Sequence, residues 1–349
     1  MAYTTINKSS LHFNTKLFTG NGGTNAQTGV GFQPDLLWFK NRSAGINHMW
    51  FDSVRGINKY FYGNLTEAQG TSSSILTARG SDGFTVGANG NVNGNGNGIA
   101  SWNWKAGSSF SNSAGANGAS IASTGSVNTA AGFSIISYTG NGASSATLAH
   151  GLGAVPKMMI VKRRDASASW FVYHHSIGAN NQLKLDNNEA SSANQGAWNN
   201  TAPTSSLFTI GTADSVNANN GTYIAYIFAE KQGYSKMGGF TGNGNADGIF
   251  CYLGFKPAFV MVKRTNNANF WLMRDNKRSP QNVTDETLAA DSASTEAGWG
   301  SSYLIDMLSN GFKMRDTTSP VNTSTATYIF QAFAEAPLVG TNNVPATAR

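Results

Sequence analysis

The chain repeats one pattern three times, and a fold that ignored the repetition could not accommodate it. The pattern is an aromatic residue, the tetrapeptide Thr-Gly-Asn-Gly, a Pro-led apolar run ending in Lys, an aromatic cluster and a closing apolar strand. The first copy opens with Phe13, Thr19-Gly20-Asn21-Gly22 and Pro34 through Lys40. The second has Phe133, Thr139-Gly140-Asn141-Gly142 and Pro156 through Lys162, and the third Tyr234, Thr241-Gly242-Asn243-Gly244 and Pro257 through Lys263. Six residues separate Pro from Lys each time. An internal period of this kind marks a structural unit that packs against its own copies, so it outranks any local motif.

The register continues past the Lys. Eight residues on stand His48, Trp170 and Trp271, and twelve on stand Asp52, His174 and Asp275. Short strands centred on Phe84, Phe208 and Phe312 follow, and closing strands are expected over Ile99 to Lys105, Tyr223 to Glu230 and Tyr328 to Glu335, aligned on Trp104, Phe228 and Phe333.

A chain of 349 residues is expected to divide into domains of roughly 100–200 residues. Forty Gly and only 12% charged residues describe short strands joined by tight turns. The 8 Trp, 11 Tyr and 20 Phe exclude a disordered chain and supply several small cores. The single cysteine, Cys251, permits no internal disulfide and reads as a buried small hydrophobe. The N-terminus lacks an apolar segment of secretory-signal length, and no apolar run approaches the roughly 20 residues that span a bilayer. Synthesis and assembly in a cytoplasm, without membrane insertion, are therefore expected.

Alternation of period two in Ala131 to Tyr138 reads as a half-buried strand, and the unbroken apolar runs Lys157 to Val161 and Ala258 to Val262 read as strands buried on both faces. Pro at the strand entrance needs no ladder hydrogen bond. The predicted fold is all-β: three tandem antiparallel β-sandwich repeats, jelly-roll-like, of about 100 residues each with short helical caps. Expected boundaries are an N-terminal attachment arm 1–16, repeats at 17–106, 131–232 and 233–337, a Gly/Ser/Ala-rich linker 107–130 and a C-terminal tail 338–349. Helix is expected to be scarce, the best candidates being Asn64 to Gln69 and Thr287 to Ala290, and the Gly/Asn-rich stretch Gly87 to Gly98 reads as an enlarged loop.

Lys40 with Arg42, Lys162 with Arg163 and Arg164, and Lys263 with Arg264 put basic residues at one strand exit in every copy. With a net charge of +6 and a pI of 9.3 they are candidate contacts for an acidic glycan, a lipopolysaccharide phosphate or nucleic acid, or else solvated strand ends. Their low density argues against nucleic acid. Trp198 and Trp299, in polar loops, are candidate exposed platforms for a sugar. His174 and His175, as strand neighbours, should point to opposite faces. The expectation is no cofactor, no metal-ligand spacing and no catalytic constellation. A glycosidase would require two carboxylates flanking one bond, which leaves a pairing of Asp52 or of Asp275 across space.

The opening Met1 to Lys8, the segments 13–22 and Val30 to Lys40, and Phe51-Asp52-Ser53-Val54-Arg55-Gly56 resemble bacteriophage virion proteins. So do His150-Gly151-Leu152-Gly153 and Tyr223 to Glu230. The family is that of tail-associated and fibre-associated proteins of tailed phages, especially those of marine bacteria and cyanobacteria. The resemblance implies a non-enzymatic virion component, assembled in the host cytoplasm, with other virion proteins and a symmetric oligomer as partners. A host-surface glycan is a further candidate partner. No coiled-coil or collagen-like shaft is present, which favours a compact knob, adaptor or decoration subunit. The alternatives are a capsid decoration or head-fibre protein and a glycan-binding lectin-like module.

Overall fold

The computed structural model describes residues 3–299 and 302–339. Each repeat is an antiparallel β-sandwich, and the larger sheet of each begins from the same strand order. An opening strand (Phe13–Thr19, Phe133–Thr139, Ser235–Thr241) pairs with the closing strand (Gly98–Trp104, Thr222–Ala229, Thr327–Pro337). The closing strand pairs with the Pro-led strand (Leu36–Asn41, Pro156–Arg163, Phe255–Arg264), and that with the aromatic strand (Met49–Asp52, Phe171–His174, Leu272–Asp275). A smaller sheet of two or three strands covers one face of each unit. In the second and third units the Pro sits at a register shift, where a missing N–H leaves no gap in the ladder.

The apolar runs are unbroken because alternate residues serve two different cores. Leu37 and Phe39 point into the first sandwich, while Leu36 and Trp38 point to a core shared by all three units. Met159 and Val161 fill the second sandwich, and Met158 and Ile160 face the shared core. The closing strands divide the same way: Tyr223, Ala225 and Ile227 face inward, and Ile224, Tyr226 and Phe228 face the centre. At the centre Trp104, Phe228 and Phe333 meet one another, with ring centroids 5.6, 5.9 and 6.5 Å apart. The three sandwiches therefore close into a ring around an aromatic hub. The third copy joins it one residue out of phase: Ser235 takes the ladder position of Phe13 and Phe133, and Tyr234 packs on Phe333 from just before the strand.

The Thr-Gly-Asn-Gly turns are structural. In each unit a fully buried Asn on a short helix grips the turn reciprocally. Asn93, Asn217 and Asn322 accept from the backbone N–H of Asn21, Asn141 and Asn243 at 2.9, 2.9 and 3.0 Å and donate back to the same residue's side-chain oxygen. A Cβ on the first glycine of the turn would fall 2.1, 2.5 or 2.2 Å from a carbonyl oxygen after that Asn, and the second glycine has φ of 66–69°. Both positions therefore require glycine. Asn217→Ala, which strands the Asn141 N–H, is expected to cost about 2–4 kcal/mol in urea denaturation; a change under about 0.5 kcal/mol would show that the turn holds itself.

Four expectations change. Residues 107–130 are no linker: Ser108–Asn112 and Ser123–Asn128 form a hairpin that extends the second unit's sheet beyond Phe133–Thr139. The N-terminal arm is laced onto the end of the second unit and onto the third, with Thr4 and Ile6 buried, the Thr4 hydroxyl donating to Gln232 O at 2.7 Å and the Tyr3 hydroxyl to Gly254 O at 2.7 Å. Neither expected helix exists. Leu288–Ala289 is a strand, and the 64–69 segment turns so that its carbonyls reach the second unit. Gly87 to Gly98 is no enlarged loop but holds the Asn93 helix, matching Asp214–Asn217 and Ser319–Asn322. Of the tail, residues 340–349 lie outside the described residues; the Leu338 N–H donates to Gly254 O at 3.1 Å.

Candidate functional site: the seams between units

The strand-exit lysines are not on the surface. Lys40, Lys162 and Lys263 are fully buried, which corrects their assignment as anion contacts and equally as solvated ends. Each ammonium donates to a carbonyl six residues on (Ile46, Ala168, Asn269) and to one carbonyl of the neighbouring unit. Lys40 reaches Ala293 O, Lys162 reaches Thr66 O and Lys263 reaches Asn188 O, all at 2.9 Å. The first unit thus holds the third, the second the first and the third the second, a head-to-tail ring that closes. Burial lowers the pKa of each ammonium to about 8.

A second bond per seam comes from the residues eight positions past the Lys. His48 Nε2 lies 3.1 Å from Ser292 O, Trp170 Nε1 donates to Leu65 O at 3.1 Å and Trp271 Nε1 to Lys184 O at 2.8 Å. Trp38 Nε1 donates to His48 Nδ1, so the His48 proton sits on Nε2 and the ring does the work of an indole.

A third bond comes from the residues twelve positions past. Asp52 pairs with Arg55, both side chains fully buried, and accepts the Tyr226 hydroxyl at 2.7 Å. Asp275 pairs with Arg278 in the same way and accepts Trp102 Nε1 at 3.1 Å. Asp52 and Asp275 thus lie in different seams, each neutralised by its own arginine. At the remaining seam His174 takes the Asp place and Ile177 the Arg place. His174 Nδ1 accepts the Ser176 N–H and Nε2 donates to Phe330 O, while the facing Gln331 Nε2 has no partner among the described residues. The strand ends at His174, so His175 does not take the opposite face; the two rings stack 5.1 Å apart and both reach the third unit.

Burial, with His175 beside it, pushes the His174 pKa down to about 3. An unfolded chain takes up this proton below about pH 6.5, whereas the native ring refuses it. Stability is therefore lost as pH falls from 6.5 towards 3. In His174→Gln the pH slope of the urea midpoint over that window should flatten by up to one proton's worth, and an unchanged slope would contradict the assignment.

The arginines are engaged. Arg42 binds Glu296 across the third-to-first seam, and Arg164 donates to Gln69 Oε1 of the first unit at 3.1 Å and to Ser137 Oγ at 3.0 Å. Arg163 pairs with Asp165 at 3.2 Å, and Arg264 bonds Asn266 Oδ1 and Ser319 Oγ at 2.9 and 2.8 Å. Trp198 is fully buried against Tyr173, and Trp299 is half-buried edge-on to Phe270 at 4.9 Å. Trp198 is therefore no exposed platform, and Trp299 is a packed one. Cys251 is buried, and burial raises its thiol to about 12. Among the described residues no group of three or more His, Cys, Asp or Glu side chains could hold a metal ion, and no helix is long and apolar enough to cross a membrane.

A family model described as "Domain of unknown function (DUF7483)" matches residues 8–337, from the N-terminal segment to the end of the third closing strand. The chain belongs to the DUF7483 family. No curated protein and no solved structure matches it. The match covers all three units of the DUF7483 ring and not one sandwich, which agrees with seams that give no single unit a finished surface.

Seam residues that sequence reading missed are Arg55, Arg278 and Glu296, and the gripping residues Asn93, Asn217 and Asn322. The signal for the latter was present: each follows a Val and precedes Trp104, Phe228 or Phe333 by eleven residues.

Proposed function

We propose that this chain is a structural component of a tailed-phage virion, associated with the tail or its fibres and assembled in the host cytoplasm. The reading rests on the resemblance of its segments to such proteins. The observation that carries it is the closed ring: three sandwiches joined by the same lysine clasp, with the buried Asp52–Arg55 and Asp275–Arg278 pairs used to hold the seams. A body of this kind is a rigid building block rather than a catalyst. Its near-threefold symmetry presents three similar faces, so one copy can cap a threefold partner. Mass spectrometry of purified particles and placement of this ring in an intact-particle density map test the reading. Density at the tail or its fibres is the expected result. Density on the capsid lattice would move the chain to a decoration role, and absence from purified particles would overturn the proposal.

A further inference from the structure

One seam lacks the buried carboxylate–arginine pair, and a cleft opens there. Between the second and third units, where His174 and Ile177 replace the buried carboxylate and arginine, lies a cleft of about 510 Å³. In the second unit the residues equivalent to Gly239, Phe240, Thr241, Thr265 and Thr327 are Ser137, Tyr138, Thr139, Arg164 and Thr222, which line a cleft of about 300 Å³ that contains a cation. A further cleft of about 390 Å³ beside the first-to-second seam contains Asp35 and Arg79, and one of about 50 Å³ at the third-to-first seam lies beside Lys277 and Glu335. None of the residues lining the large cleft is charged.

What lines it is a set of neutral donors and acceptors beside an aromatic ring. Ser176, Asn181 and Ser191 come from the second unit and Thr241 and Thr327 from the third. The Phe240 ring is half-buried and stacked on Tyr328, centroids 4.9 Å apart. The main chain adds more. Met237 turns its N–H and C=O away from the closing strand, to Glu230 Oε1 and His175 at 2.9 Å each. By the two-residue alternation of an antiparallel pair, Gly239 and Thr241 point the same way, into the cleft. In the second unit the equivalent edge is covered by the chain's own hairpin, Thr124 pairing Ser137.

We infer that this cleft is a binding site for a neutral oligosaccharide. A pyranose has an apolar C–H face that fits against a ring and a rim of hydroxyls that need both donors and acceptors, and the lining supplies both. An anion finds no cation there. An added peptide strand finds only two residues of open edge, because His175 and Glu230 already cap Met237. The inference does not depend on where the chain sits in a particle.

The test uses the full purified chain on a glycan array, followed by saturation-transfer NMR with neutral hexasaccharides and with sulfated and sialylated ones. Neutral oligosaccharides should bind. Thr327→Trp, at an exposed position, should fill the cleft and weaken binding by about tenfold or more, a change of about 1.4 kcal/mol. Phe240→Ala should weaken it as well, and Ser109→Trp, in the first-to-second cleft, should leave it unchanged. Absence of any neutral-sugar signal, binding confined to charged glycans, capture of an extended peptide at the Gly239 edge, or loss of binding in Ser109→Trp but not Thr327→Trp would each overturn the assignment. Failure here leaves the virion reading to its own test, since that one is read from particles and this one from the isolated chain.

Discussion

Arg278→Ala is expected to destabilise the ring by about 3–5 kcal/mol, read as a fall in the urea midpoint with circular dichroism. The Arg278 side chain is fully buried at the third-to-first seam. Its Nε pairs with Asp275, Nη1 with Glu296 at 2.8 Å and Nη2 with Met273 O at 3.0 Å, and it lies 5.6 Å from the centre of the Trp102 ring of the first unit. Truncation leaves Asp275, itself buried, with no cation. That uncompensated charge, rather than the attraction lost, sets the size of the effect. The double variant Arg278→Met with Asp275→Leu removes both charges and should recover most of the loss. A single variant within about 1 kcal/mol of the wild type would mean that the pair does not hold the seam. Arg55→Ala at the first-to-second seam should behave alike, because Arg55 repeats the contacts to Asp52 and to Trp50 O.

The sandwiches were legible because their signals are local and periodic. Alternation of apolar residues reports a strand whichever unit it belongs to, and Gly20, Gly140 and Gly242 stand where a carbonyl leaves no room for a Cβ. What the pattern could not report was direction. The run Lys157 to Val161 announces a strand buried twice, but nothing in it says that one burying surface is its own sandwich and the other a hub shared with two sister units. The hairpin at 108–128 was hidden for the opposite reason. It is rich in Ser, Gly and Ala, the composition of a linker, and it becomes strand because the Phe133–Thr139 edge supplies a ladder.

The lysines show how a correct position can carry the wrong environment. Lys40, Lys162 and Lys263 were found by their spacing, and charge alone suggested solvent. Their burial depends on carbonyls of Ala293, Thr66 and Asn188, each at least 75 residues away in sequence, and no local motif announces such a partner. The same holds for Asp52 and Asp275. They stand in register, which invited an active-site reading, while the neutralising arginines three residues on were not singled out. The open cleft was invisible because it exists where the repeat fails, at His174 and Ile177, and a search for agreement among copies discards the odd one.

Phe333→Ala tests whether the ring is one cooperative body. Phe333 is buried and lies within 6.5 Å, centroid to centroid, of Phe13 and Trp104 from the first unit, Phe228 from the second and Tyr234 and Phe259 from its own. Deleting the ring should cost about 3–5 kcal/mol, with a cavity the surrounding rings cannot fill. The diagnostic result is in the pairing of variants. Phe333→Ala with Trp104→Ala should be non-additive by about 0.5–3 kcal/mol, because the two rings touch across a seam. Phe333→Ala with Phe84→Ala should be additive, because Phe84 fills the first sandwich's own core and not the hub. If Phe333 and Trp104 prove additive while unfolding splits into separate transitions, the units are stable as separate bodies and the hub is only a contact between them. A single transition with strong coupling at the hub means that no sandwich is complete without its two neighbours.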